Sequence, residues 1–431
     1  MKNNKLLCAL IACVQIVTAT VAGRADLAAY LKKPDDVFKW EKRKQETRSN
    51  GTVYDLHLVS QVWQGITWEH RVQVFLPKRI EYPGAVTLLI TGGSGSEEET
   101  NLGLALANGA GVPFAILYHI PNQPLFDGKR EDDLIAHTFV QYMQTGDENW
   151  PLLFPMAKSA IRAMDALGEF SKKEGMAEMN RFIVTGASKR GWTTWLTAAS
   201  GDKRVKAIMP MVYDNLNIQA QMPHQIASWG KYSEQIEDYT RRGLQAQMQT
   251  PRGQKLIRMV DPYTFRNALT LPKLIINGTN DRYWAQDAMN LYWNDLRGPK
   301  WALYGPNSGH GLENSLLLVQ ASAVAFVRAV ASEKLPPQPQ WRFEKTSDGI
   351  RFTIDPRGAA RSVKLWTTFS DTKDFRESRW SSRAMERAGE SYSVEIPRPV
   401  SGFVAFFAEI MQEIEGRGFP SSTQIHILGG K

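Results

Sequence analysis

Apolar and polar positions change rhythm several times along this chain. A short basic start, Met1–Lys5, leads into an apolar run from Leu6 to Ala22 that ends at Arg24 and Asp26. Val53–Ser60 and Trp68–Leu76 are rich in β-branched and aromatic residues with Gln64-Gly65 between them, which predicts an antiparallel strand pair. Ala85–Ile90 and Val112–Ile120 are nearly continuous apolar runs, the signature of strands buried on both faces of a parallel sheet. Pro155–Phe170 places Ala157, Ile161, Met164 and Leu167 at helical spacing. Further buried strands are predicted at Phe182–Val184, Val205–Val212, Leu274–Ile276 and Lys300–Tyr304, with helical stretches at Trp192–Ala199 and Leu312–Ala331. Strands alternating with helices over residues 26–334 predict an α/β domain with a mostly parallel sheet. Asn215–Thr270 breaks that alternation; it is polar, helical in tone and dotted with Trp229, Tyr232, Tyr239 and Tyr263, and reads as a helical cap. Leu335-Pro-Pro-Gln-Pro339 reads as a linker ending near residue 340. Beyond it, Trp341–Phe343, Ile350–Ile354, Val363–Thr368, Tyr392–Ile396, Phe403–Ile410 and Thr423–Ile427 alternate as short strands, predicting an all-β sandwich over 341–431.

The basic start followed by an apolar run with small residues at its end reads as a secretory signal peptide over residues 1–22, cleaved after Ala22 or Ala25. The expectation is an exported, periplasmic or secreted protein; Leu10-Ile-Ala-Cys13 offers lipoprotein anchoring as the lesser alternative. No later stretch is apolar enough to span a bilayer in the mature chain. Cys8 and Cys13 are the only cysteines and both fall in the leader, which excludes a disulfide scaffold and a cysteine-ligated zinc site. The net charge of +8 is spread thinly, and without a basic block it argues against a nucleic-acid groove. No metal-ligand cluster and no phosphate-binding loop is present, so neither metal nor cofactor is expected.

In an open parallel sheet, reactive groups gather at the carboxyl ends of strands. Ser188, Asp281 and His310 each follow a predicted strand, in the chain order of an α/β-hydrolase triad. The chemistry needs this set because a hydroxyl is a poor nucleophile until a base takes its proton, and a carboxylate fixes the base. Ser188 lies between a strand and a helix, where a nucleophile elbow belongs, although Gly186 and Gly191 give the spacing G-x-S-x-x-G, with Arg190 at the usual glycine position. Of the seven histidines, His310 alone sits in a glycine-rich loop after the last sheet strand. Asp214 is the reserve acid. Gly92 and Gly93, in the loop after the third strand, and the amide of Lys189 are the expected oxyanion donors. Glu131-Asp-Asp133 reads as the acidic start of a helix rather than as a carboxylate pair for catalysis.

Leu27–Trp40, Leu58–Trp63, Ile120–Leu125, Ala160–Ala166, Pro272–Asp281 and above all Val184–Ala198 (VTGASKRGWTTWLTA) resemble the PhoPQ-activated pathogenicity-related protein family, whose amoebal relatives include autocrine proliferation repressors. The resemblance implies an α/β-hydrolase fold with Ser188, Asp281 and His310 as its triad, and a link with virulence and tolerance of antimicrobial peptides. The elbow spacing is also similar to that of glucuronoyl esterases, which implies that Lys189 or Arg190 assists the oxyanion. The chain departs from its relatives at Asn280 and at Ser308-Gly309-His310. The expectation is a serine hydrolase acting on a small-molecule, peptide or glycan ester or amide. Its alternative is a non-catalytic binding or signalling protein on the same scaffold.

Overall fold

The computed structural model describes residues 22–414 and 416–430. Residues 1–21, which hold nearly all of the expected leader and Cys13, lie outside them.

The amino-terminal unit opens with helix α1 (Ala22–Leu31) and the strands β1 (Lys39–Arg48), β2 (Gly51–Trp63) and β3 (Ile66–Pro77). β4 (Ala85–Ile90), α2 (Glu97–Ala110), β5 (Phe114–Leu117), α3 (Glu131–Thr145), α4 (Leu153–Lys173), β6 (Arg181–Ala187), α5 (Lys189–Ala199) and β7 (Val205–Met211) follow. Between β7 and β8 (Lys273–Gly278) lie α6 (Ile218–Trp229), the short turns α7 (Glu237–Thr240) and α8 (Leu244–Gln247), and α9 (Pro251–Val260). β9 (Lys300–Gly305) and α10 (Leu316–Ala331) complete the unit.

Strands run in the order β1-β2-β3-β5-β4-β6-β7-β8-β9. β5 through β9 are parallel neighbours, while β1, β2 and β3 are antiparallel additions. Both faces of the parallel part are covered, one by α4 and α5 with Phe170, Trp195 and Leu196, the other by α10 with Phe326 and Val330. That double burial is why these strands read as unbroken apolar runs. β1, KWEKRKQETR, carries no such signal because it is an exposed edge; its charges blunt pairing with other chains. The run Val112–Ile120 yields only four strand residues, Phe114–Leu117, because the chain leaves the sheet there to form the loop toward α3.

The carboxyl-terminal strands are β10 (Gln340–Lys345), β11 (Gly349–Asp355), β12 (Ala360–Ser370), β13 (Ser381–Ala384), β14 (Arg387–Ala388), β15 (Ser391–Pro397), β16 (Phe403–Ile414), β17 (Arg417–Ser422) and β18 (His426–Gly429). They form two sheets around Phe352, Ile354, Leu365, Phe406 and Ile410. One sheet, β10-β11-β15-β14, stands apart; the other continues the main sheet, because β17 pairs with β9 at Ser422 and Ala302. The sequence suggests a sandwich after a linker; in the structure its β17 also seals the β9 edge. β16 is buried on both faces, with Phe406 and Ile410 inside the sandwich and Ala405 and Phe407 against the α/β core.

Candidate active site

β6 ends at Ala187 and α5 begins at Lys189, so Ser188 occupies the sharp turn between them, at φ 58° and ψ −127°. A non-glycine residue there stores strain of about 1–3 kcal/mol, tolerated where the surroundings over-determine it. The surroundings do so here. The Ser188 amide donates to the Met211 carbonyl at 2.9 Å. A Cβ at Gly186 would fall 2.6 Å from the Arg190 carbonyl oxygen, and one at Gly191 would fall 2.7 Å from that of Met211. The second glycine is therefore needed at 191, where α5 crosses the end of β7, and not at 190.

The loops after β8 and β9 bring Asp281 and His310 to this turn. His310 Nε2 lies 2.8 Å from Ser188 Oγ, and His310 Nδ1 lies 2.7 Å from Asp281 Oδ2. Asp281 is 3% exposed, and its other oxygen accepts the Tyr283 amide at 2.8 Å. The Tyr283 ring stacks on the His310 imidazole with centroids 4.2 Å apart. One residue thus holds both the carboxylate, through its backbone, and the ring, through its side chain.

Lys189 and Arg190 point at the start of α3. Arg190 donates from Nη1 and Nη2 to the two oxygens of Glu131, each at 2.6 Å, and from Nε to the Ile120 carbonyl at 2.6 Å. Lys189 Nζ sits 3.0 Å from both Glu131 and Asp132. Burial pushes the Glu131 carboxyl up, but the Arg190 fork and Lys189 outweigh it and hold it down at about 2. The idea that Arg190 aids an oxyanion gives way here: its guanidinium is turned into Glu131 and wedged against Gly92, where a Cβ would fall 1.9 Å from Nη2. Gly93 turns its amide to Thr91 Oγ1 at 3.3 Å. Neither glycine lines the recess beside Ser188, whereas Lys189 does. Glu131-Asp-Asp133 does open a helix, as its sequence suggests, and in addition anchors the elbow.

That recess is walled by Trp192, Tyr213, Tyr239, Tyr283 and Trp284, with Met222 and Met248 from the stretch between β7 and β8. Asn215 and Gln245 also line it, and its carboxylate, Asp132, accepts the Tyr239 hydroxyl at 2.9 Å in addition to Lys189. With one carboxylate matched to one ammonium, the recess is aromatic and close to neutral. Asp214 does not meet His310. It is buried and accepts the Tyr292 hydroxyl, and burial pushes its carboxyl up to about 7. A folded-state value above the unfolded one costs stability progressively from about pH 4 to pH 7. Asp214→Asn, which keeps an acceptor for Tyr292, is therefore expected to gain thermal stability over the parent across that interval and to hold a constant gain above it. Melting curves from pH 4 to 9 check this.

The parallel sheet, the strained serine turn and the loops after β8 and β9 define an α/β-hydrolase fold. Its backbone is similar to that of "Acetyl xylan esterase from Paenibacillus sp. R4", with a TM-score of 0.51, 16% identity, and coverage of 72% of this chain and 94% of that one. A profile of the PhoPQ-activated pathogenicity-related protein family matches residues 27–376, and the chain belongs to that family. It is 31% identical over 421 residues to Autocrine proliferation repressor protein A of Dictyostelium discoideum, covering 88% of this chain and 84% of that protein. No helix among the described residues is long and apolar enough to cross a membrane.

Proposed function

We propose that this protein is a serine hydrolase that cleaves an ester or amide through Ser188, His310 and Asp281. The observation that carries the reading is the unbroken contact chain Ser188 Oγ–His310 Nε2 at 2.8 Å and His310 Nδ1–Asp281 Oδ2 at 2.7 Å, on a strained elbow. In the first half-reaction Ser188 Oγ attacks the carbonyl carbon while its proton passes to His310 Nε2. The Lys189 amide, at the first position of α5, faces the developing oxyanion. The tetrahedral species collapses as the bond to the leaving group breaks, and His310 delivers its proton to that group. Water then attacks the acyl-serine, His310 takes the water proton, and the acid departs as Ser188 recovers its hydrogen. Export and a role in virulence or antimicrobial-peptide resistance belong to the same proposal, supported by the apolar run Leu6–Ala22 and by family membership.

A second reading, a binding or signalling protein on a hydrolase scaffold, draws on the relative whose name describes repression of proliferation. One experiment separates the two. The protein is incubated with a fluorophosphonate probe and the adduct is mapped by mass spectrometry. The hydrolase reading expects one adduct, on Ser188, formed faster than on a denatured control; folded protein that stays unlabelled supports the binder.

A further inference from the structure

The carboxyl-terminal strands reach into the active site. The segment between β12 and β13, residues 371–380, lies over the two loops that carry Asp281 and His310. Asn280 Nδ2 donates to the carbonyls of Phe375, Arg376 and Ser378 at 3.3, 3.1 and 2.7 Å. Asn307 exchanges two hydrogen bonds with the Trp380 backbone, at 3.0 and 2.7 Å. The same segment grips the helical region between β7 and β8: Arg376 lies over the Trp229 ring at 4.3 Å and pairs with Glu234 at 3.0 Å. Asn280 is thus a tie between the acid loop and the carboxyl-terminal strands.

These contacts enclose a cleft beside His310, separate from the aromatic recess. Arg282, Glu313, Glu377 and Arg379 line it, and Ser188 does not. Tyr283 lines both spaces, so the partition between them runs past the imidazole. The chemistry assigns the two sides. An acyl group becomes bonded to Ser188 Oγ, whereas the leaving group receives its proton from His310 Nε2 and must lie on the histidine side. Resting on the hydrolase reading above, we propose that this cleft is the leaving-group subsite and takes an uncharged, hydroxyl-rich alcohol, while the aromatic recess takes the acyl group.

The lining supports that class. Arg282 is paired with both Glu234 and Glu377, so charges of both signs face the cleft. An alkyl leaving group would strip water from these groups and return no hydrogen bond. A leaving group of one strong charge would meet its own sign on one wall. Hydroxyls donate and accept, and so satisfy arginine and carboxylate neighbours alike. The recess on the other side, with mostly aromatic and apolar walls, the amides of Asn215 and Gln245 and a carboxylate, Asp132, paired with Lys189, suits an uncharged acyl group.

The test uses paired esters of glycerol and 1-propanol, alcohols of equal carbon number that differ by two hydroxyls. Acyl groups range from acetyl to phenylacetyl, and the pair turned over fastest is compared by kcat/KM. The glyceryl ester is expected to be preferred at least tenfold, and Glu377→Leu and Arg379→Leu, both at exposed positions, to lower that ratio at least fivefold. Fluorophosphonate labelling of Ser188, measured for each variant, reports that the site is folded. Labelled protein that shows equal rates for the two esters, cleaves no glyceryl ester, or keeps its ratio in both variants overturns the subsite and leaves the hydrolase reading intact. Parent protein that is neither labelled nor active overturns both.

Discussion

Ser188→Ala is expected to lower kcat/KM for any ester the protein cleaves by at least about 10⁴-fold, the scale on which loss of a triad nucleophile acts. Asp281→Asn should fall by a similar factor, because an amide no longer selects the imidazole tautomer that presents a lone pair to Ser188. Asp281→Asn should leave KM nearly unchanged, since that side chain is not among those that line the recess. Initial rates on the best ester, with melting temperature as a fold control, check this; variants that retain a tenth of parental activity would contradict the mechanism. The elbow adds a stability arm. At φ 58° Ser188 is strained and glycine is not, so Ser188→Gly should be inactive yet more stable than the parent by about 1 kcal/mol. A gain in stability with loss of activity separates strain kept for function from strain of no consequence.

Glu131→Gln is expected to cost about 2 kcal/mol, the second large effect. Removing one partner of a buried pair typically costs about 3–5 kcal/mol, because the other charge is stranded. The lower figure applies because the Glu131 side chain keeps 40% exposure while that of Arg190 keeps 11%. The carboxyl is held at about 2 in the folded protein, below its unfolded value. Its contribution is therefore complete above about pH 4.5 and drains away as pH falls toward 2. Parent and variant melting temperatures should differ most at neutral pH and converge only as pH approaches about 2. A gap undiminished at about pH 2 would mean the loss is one of packing and not of charge. Because Arg190 follows the elbow directly, the variant should also label more slowly with the probe.

Much of the candidate site could be read from the chain. Ser188 was legible because strand, glycine and helix follow one another within a few residues, and an elbow is a local structure. His310 was legible because histidine is scarce and its loop follows the last parallel strand. The aromatic recess was legible only in part: Tyr239 stands out as one aromatic among several between β7 and β8, but nothing near it marks it as the wall that meets Asp132. Tyr283 reads as an ordinary neighbour of Asp281, since stacking on a ring 27 positions away leaves no trace in spacing. The contact of Arg190 with Glu131 leaves no trace in the sequence, because Glu131 is 59 residues distant and reads as a helix start, which it also is.

The sequence by itself determined what local rules decide: continuous apolar strands buried on both faces, the helix that follows the serine, and the order in which hydroxyl, carboxylate and imidazole occur. Those properties depend on neighbours along the chain. Tertiary structure alone decided which side chains meet: Arg190 with Glu131, Tyr283 with His310, and the 371–380 segment with Asn280 and Asn307. Each joins groups brought together by sheet order and by the pairing of β17 with β9, and long-range pairing of this kind depends on complementary surfaces that no stretch of one chain displays in advance.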